Sequence, residues 1–535
     1  MHPPALPPAP APFLVLLGAD LWTDDGHRAQ ALPGQAVALQ GGRIVAVGPE
    51  ASVLRRYAKA RTVRLPGGTL LPGFIEGHAH VAGIGELKRQ ADLSGTATLA
   101  ATLDRVRQWA QAHPAPWIRG RGWDQNLWPA KAFPTAADLD PLTGPLPAAL
   151  ERVDGHALWA NTAALTAAGI TRATPDPPGG SILRDAQGEA TGILLDAAAE
   201  LVLRRIPPAT PEQIETCLLD GLGALRHLGF TAVADMGVDA PTLTAYRRLA
   251  KAGRLPIRVF AYLTHDPALM ASELQRPWPP HSALFQVQGV KFYLDGALGS
   301  RGARLLAPYA DAPGSGLWVT DPATVARDVQ VTHRAGYQSA VHAIGDAANS
   351  KALSIFAQNP GPKGGPPPRI EHAQIVTALD AARFGPLGVV ASVQPRHCTD
   401  DHAWTPSRLG PARTAEAFPW RTFLEGGAIL AFGSDAPIAE ANPFAGMAAA
   451  ETRQDDAGDP PGGFLPAQRL TRPEALRAYL GGNARALGRA DLGALASGAV
   501  ADLVWVQAPV LTLPAPAFRQ LKPARLWVNG KEVQP

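Results

Sequence analysis

The chain has 535 residues, a net charge of +3, and 46% hydrophobic and 18% charged residues. This is ordinary globular composition and argues against disorder, while the small net charge gives no case for nucleic acid or an anionic membrane surface as partner. A single hydrophobic core rarely grows past roughly 250–300 residues, so a large domain plus a smaller one is expected.

The opening "MHPPALPPAPAPFLVLLGAD" is Pro/Ala-rich and lacks a basic start. It reads as a short disordered lead followed by a strand, not as a signal peptide. No apolar run of about 18 residues is free of charges or breakers, so no transmembrane helix is expected. Residues 12–72 alternate short apolar stretches with Gly-containing turns, and 493–535 have the same texture. Both ends together predict one small β-sandwich-like domain. Between them, 73–492 alternates buried strand-like runs with helical patterns, from "GTLLPGFIEGHAHV" through "GFTAVADMGV", "IRVFAYL" and "VQGVKFYLDGAL" to "AILAFGSDAP". Such alternation predicts βα units and a parallel sheet, and eight units close into a distorted (β/α)8 TIM barrel. The stretch 85–215 is too long for one crossover and reads as an insertion on the substrate side.

Chemistry-bearing residues follow the strands. His78 and His80 in "GFIEGHAHV" lie two apart, so on a strand both imidazoles point to one side, as metal ligands do. Alone, the pair reads equally as two unrelated histidines near a turn. Lys291 lies inside an apolar run, where lysine is rarely buried without a partner. Either its amine reaches solvent at the strand end, or it is desolvated, neutral and able to take up carbon dioxide as a carbamate. Asp295, four residues on, either supports that site or caps a turn. His342 in "AVHAIGD" and His372 in "RIEHAQIV" each follow an apolar run. Asp435 ends the strand "AILAFGSD", where a carboxylate is paired, metal-bound or capping the next helix. Metal-bound, it could also take a proton from water as general base. The set gains meaning because each member ends a different candidate strand, the face where barrel enzymes place their sites. His and carboxylate donors suit zinc.

The order His-x-His, Lys, His, His, Asp resembles the amidohydrolase superfamily. "GWDQNLW", "DGHALWAN", "GGSILRDAQGEATGIL", "KFYLDGALGSR" and "VHAIGDAAN" are similar, more narrowly, to its amidohydrolase 3 group, the YtcJ-like proteins, which includes N-substituted formamide deformylases. The resemblance implies one or two divalent metal ions, with His78, His80 and Asp435 holding one and His342 and His372 the other. Lys291, carboxylated, would bridge them. It implies hydrolysis of a non-peptide C–N amide bond by metal-activated water, with Asp435 and His342 as catalytic residues. Trp123, Asp124, Asn126 and His156, from the insertion, become substrate-side candidates, although the tryptophans read equally as core. Asp154 flanks Gly155 in the same turn as His156, and Arg301 and Arg396 are weaker candidates for a substrate carboxylate or carbonyl. Rival readings are a cyclic-amide hydrolase or deaminase on the same scaffold, and a non-catalytic scaffold protein. The scaffold reading is disfavoured because all six ligand positions are filled. Two cysteines, Cys217 and Cys398, give no disulfide framework and fit a cytoplasmic protein; Cys217 reads as core, while Cys398 reads as core or as site-adjacent. The partner expected is a small-molecule substrate, and base rates suggest a homodimer.

Overall fold

The computed structural model describes residues 12–24, 29–153, 155–177, 179–276 and 284–535; the Pro/Ala-rich lead and Asp154 lie outside them. The chain divides into two compact units. One comprises the described parts of Met1–Val81 and Gly221–Pro535, the other those of Ala82–Asp220.

The first unit is built on eight parallel strands: β1 (Phe74–Ala79), β2 (Phe230–Val238), β3 (Arg258–Thr264), β4 (Phe285–Tyr293), β5 (Gln338–Ala343), β6 (Arg369–His372), β7 (Val390–Val393) and β8 (Ile429–Phe432). Each pairs with the next in chain order, as the expected barrel requires. Their residues are buried almost without interruption, the pattern of strands covered on both faces. Several intervening helices open on an Asp followed closely by Pro. Asp239, Asp266 and Asp321 each accept a hydrogen bond from a backbone N–H of the first turn, so a cap and a fixed φ start each helix.

Strands from both chain ends form two further sheets. The six-stranded sheet runs Lys531–Val533, Arg525–Val528, Leu503–Val506, Thr69–Pro72, Asp20–Asp24, Ala29–Leu32. The four-stranded sheet runs Arg43–Pro49, Gln35–Gln40, Leu14–Leu17, Arg61–Arg64. Leu16, Val37 and Leu39 of the smaller sheet share one core with Leu21, Trp505 and Trp527 of the larger. That shared core makes the pair sandwich-like. The second unit has its own six-stranded sheet, from Ala91–Asp92 to Gly180–Arg184, and its own core around Trp123, Leu150, Trp159 and Ile193. No helix among the described residues is long and apolar enough to cross a membrane.

The barrel has a seam between β8 and β1. No ladder joins these strands; Ala79, the last residue of β1, and Ala436, past β8, make an isolated parallel bridge. Backbone bonds from Asp435 N to His78 O (2.7 Å) and from His80 N to Ala436 O (2.8 Å) flank it. Side chains complete the closure. Asn483 Nδ2 donates to the carbonyls of Ile75 (2.7 Å) and Phe432 (2.8 Å). Glu76 Oε1 accepts from the N–H groups of His78 (3.0 Å) and Ser434 (2.8 Å). The strands approach so closely that a Cβ at Gly77 would sit 2.4 Å from Phe432 O, and one at Gly433 2.5 Å from His78 N. Asn483→Ala removes the donor shared by two buried carbonyls, so a loss of about 1–3 kcal/mol is expected. A urea midpoint unchanged from wild type would show that the seam closes without it.

Candidate active site

The six residues singled out along the chain gather in the first unit, at the C-terminal ends of the barrel strands. His78 lies in β1 and His80 just past it; Lys291 is in β4, His342 in β5, His372 ends β6, and Asp435 follows β8. Asp435 Oδ1 stands 3.3 Å from His78 Nε2 and 3.1 Å from His80 Nε2. Lys291 Nζ stands 3.3 Å from His78 Nε2. The ring centres of His372 and His78 are 5.0 Å apart, those of His372 and His342 4.5 Å. Lys291 is 1% exposed, so of its two readings the structure has the desolvated one.

Two of these positions have backbone conformations that side chains disfavour. His372 has φ 73° and Asp435 φ 60°. Non-glycine residues in this region are uncommon, and such strain persists where surrounding structure over-determines it, often at active sites. The constraint at Asp435 is the seam, since its N–H is bonded to His78 O.

Burial sets the electrostatics. It pushes Lys291 down to about 8, against the opposing pull of Glu371 and Asp435. It pushes His342 down to about 3 and His372 well below its ordinary value, so both rings are neutral and can offer lone pairs. Burial alone would raise Asp435, but the adjacent His78 and His80 outweigh it and hold the carboxyl well below its usual range. Glu76, with weaker compensation, is pushed up to about 8. Asp295 is pushed up to about 7 by burial, despite accepting from the backbone N–H groups of Arg304, Ile344 and Gly345. It therefore ties the loop after β4 to the end of β5, 3.6 Å from His342 Nε2.

Other residues emerge only in three dimensions. Glu371 Oε2 lies 2.6 Å from His78 Nδ1, and Arg369 binds the same carboxylate while donating to Gly77 O (2.7 Å) and Ser392 Oγ (2.6 Å). Arg369, Glu371 and His78 are all 0% exposed. The carboxylate on Nδ1 fixes the tautomer of His78 so that Nε2 faces Asp435 and Lys291. His397, in the helix Pro395–Asp401 after β7, was not among the sequence candidates, yet it joins His372 and Asp435 in a second close set of ligand-type atoms. Its signal was present in "QPRHCTDD", a histidine just past an apolar strand.

These atoms fit a metal ion. Ligand-type atoms of His78, His80 and Asp435 all lie within 4.8 Å of one another. Metal bonds of about 2.0–2.2 Å at a tetrahedral angle separate two donors by about 3.4 Å, close to the distances from Asp435 to both histidines. Although buried, Asp435 Oδ1 has no hydrogen-bond partner among the described residues. Buried polar atoms are otherwise paired, and a cation would satisfy them.

Of the remaining candidates, Trp123, Asp124, Asn126 and His156 belong to the second unit and Arg301 and Arg396 to the first. Trp123 is fully buried in the second unit, donating from Nε1 to Leu150 O (2.8 Å) and packing against Trp128 and Trp159. Asp124 accepts from Asn126 N (2.9 Å), Asn126 itself is exposed, and His156 Nδ1 contacts Asp196 Oδ1 at 2.8 Å. Arg301 pairs with Asp311 and Arg396 with Asp456. Burial pushes the fully buried Cys398 thiol up to about 12, which makes it unreactive.

Comparison with known proteins adds the lineage. The profile described as "Amidohydrolase family" matches residues 61–534, and that of an imidazolonepropionase-like composite domain matches 36–60. The protein YtcJ of Bacillus subtilis is 31% identical, over 93% of this chain and 96% of its own. The N-substituted formamide deformylase of Arthrobacter pascens is 28% identical, over 97% of each. The crystal structure of an uncharacterized metal-dependent hydrolase from Pyrococcus horikoshii superposes with a TM-score of 0.80 at 26% identity, covering 94% of this chain and 99% of that one.

Glu371→Gln keeps the shape beside His78 but removes the charge. Metal retention against a competing chelator is expected to weaken about 10–100-fold, the usual effect of losing an outer partner of a histidine ligand. Unaltered retention would show that His78 is oriented by packing alone.

Proposed function

The chain belongs to the amidohydrolase family, and from that premise we propose that it is a metal-dependent hydrolase cleaving a non-peptide C–N bond in a small amide, with N-substituted formamides the first substrate class to test. The observation that carries this reading is the close set of His78, His80 and Asp435 at the C-terminal ends of the barrel strands, with a buried oxygen of Asp435 lacking any hydrogen bond among the described residues.

A divalent ion held there, zinc in this reading, supplies Lewis acidity and lowers the pKa of water to about 7. Asp435 stays ionised beside His78 and His80 and takes the proton of the attacking water. It returns that proton to the nitrogen as the C–N bond breaks. His342 Nε2, buried and unbonded, donates to the substrate carbonyl in the tautomer that carries its proton there. Lys291 is buried with its pKa down at about 8, so a useful fraction of its amine is neutral near neutral pH. The neutral amine attacks carbon dioxide, forms an N–C bond and releases a proton, leaving a carbamate whose single negative charge is shared by two oxygens beside His78.

Two measurements test this. Chelation followed by zinc add-back is expected to abolish and then restore hydrolysis of N-alkyl formamides; activity indifferent to confirmed metal removal would overturn the reading. Turnover of cyclic amides, or ammonia release from amino-heterocycles, in place of formamides would keep the metal chemistry and replace the substrate class. Asp435→Asn is expected to lower kcat by at least about 10²-fold in a folded protein, since general acid–base groups contribute about 10²–10⁴-fold. Substantial turnover by that variant would remove the proton-transfer role.

A further inference from the structure

The imidazole of His397 has no part in the scheme above, yet its surroundings are those of a ligand. It comes from the turn after β7, in the helix Pro395–Asp401. A ligand-type atom of His397 lies within 4.8 Å of one from each of His372 and Asp435. His397 Nε2 is buried and without a hydrogen-bond partner among the described residues. It faces Asp435 Oδ2 at 3.8 Å, too long for a hydrogen bond. Two donors on one ion, with bonds of about 2.0–2.2 Å, stand about 3.4 Å apart at a tetrahedral angle and at most about 4.2 Å apart. The 3.8 Å gap is one that a shared cation spans.

The outer partners repeat the pattern. His372 Nδ1 donates to Gln394 Oε1 at 2.9 Å, which leaves its Nε2 with a lone pair. His397 Nδ1 faces the amide of Gln374 at 3.4 Å. Turning that nearly isosteric amide end for end places its oxygen where it accepts from Nδ1, freeing Nε2 in the same way. The two rings lie almost parallel, 12° apart with centres at 6.0 Å. Asp435 can serve both sets, since Oδ1 lies against His78 and His80 while Oδ2 faces His397.

We propose that His372, His397 and Asp435 hold a second divalent cation, with His397 as a direct ligand and Asp435 shared between the two ions. The proposal rests on the metal-dependent reading above and extends it.

Full-length apoprotein titrated with Co²⁺ tests it, with bound cobalt counted by elemental analysis and ligand geometry followed by visible absorption. Wild type is expected to bind two Co²⁺ per chain. His397→Ala is expected to keep one and to bind the second at least about 100-fold more weakly, with His372→Ala behaving alike. His397→Gln, which preserves more of the packing, serves if the alanine variant fails to fold, and circular dichroism reports the fold of each. Two Co²⁺ bound with wild-type affinity by a folded His397 variant would overturn the proposal and leave the first site intact, as would one Co²⁺ in wild type. No bound Co²⁺ in wild type would overturn the metal-dependent function as well.

Discussion

The buried pair of Arg369 and Glu371 is the constraint on which the centre of the barrel depends. Removing two charges from water costs several kcal/mol per ion, and the attraction between them repays this only with good geometry and further hydrogen bonds. Arg369 has those bonds: to the carbonyl of Gly77 on β1, to Ser392 on β7 and to the phenol of Tyr262 on β3. One guanidinium therefore ties three strands to its own. Glu371 spends its remaining capacity on His78. Burial would raise its pKa, but Arg369 and His78 hold it well below the ordinary carboxylate range, so the charge that orients His78 persists at any working pH.

The same logic of paired and unpaired charge separates the parts of the site. The charge that only holds the frame is satisfied by protein, as Glu371 is by Arg369. Asp435 Oδ1 and the Nε2 atoms of His342 and His397 make no hydrogen bond among the described residues. Buried ligand-type atoms left unbonded at one place, beside a hydrogen-bonded Arg369–Glu371 pair, are the arrangement expected where a ligand completes the structure.

The barrel was legible because its strands carry a strong local signal. Runs such as "GFTAVADMGV" and "IRVFAYL" are apolar on both faces and bounded by helical patterns, so their order fixes a parallel sheet. Lys291 and Asp435 stood out as charges inside or ending apolar runs. Glu76, Arg369 and Glu371 gave the same signal, but each lies beside a histidine that drew the interpretation, and their pairing crosses between strands, which no single stretch of sequence displays. His397 was masked by its neighbours in "QPRHCTDD", where arginine and two aspartates suggest a solvated helix start. The tryptophans of the second unit illustrate the converse. Trp123 looked equally suited to a binding wall and a core, and only its complete burial against Trp159 separates the two.

The six-stranded sheet joins parts of the chain that are far apart: Thr69 Oγ1 donates to Ala508 O across 439 residues. Thr69–Pro72 lies immediately before β1, and one of its two edges is paired only by Leu503–Val506. During synthesis the segment that leads into His78 therefore waits, with that edge open, until all eight barrel strands have been made. Closure of this sheet is a late long-range contact, and it holds the segment that leads into the first strand of the barrel. A nascent or truncated chain lacking the late strands would expose an apolar edge in the segment that leads into β1, a natural handle for chaperones and proteases.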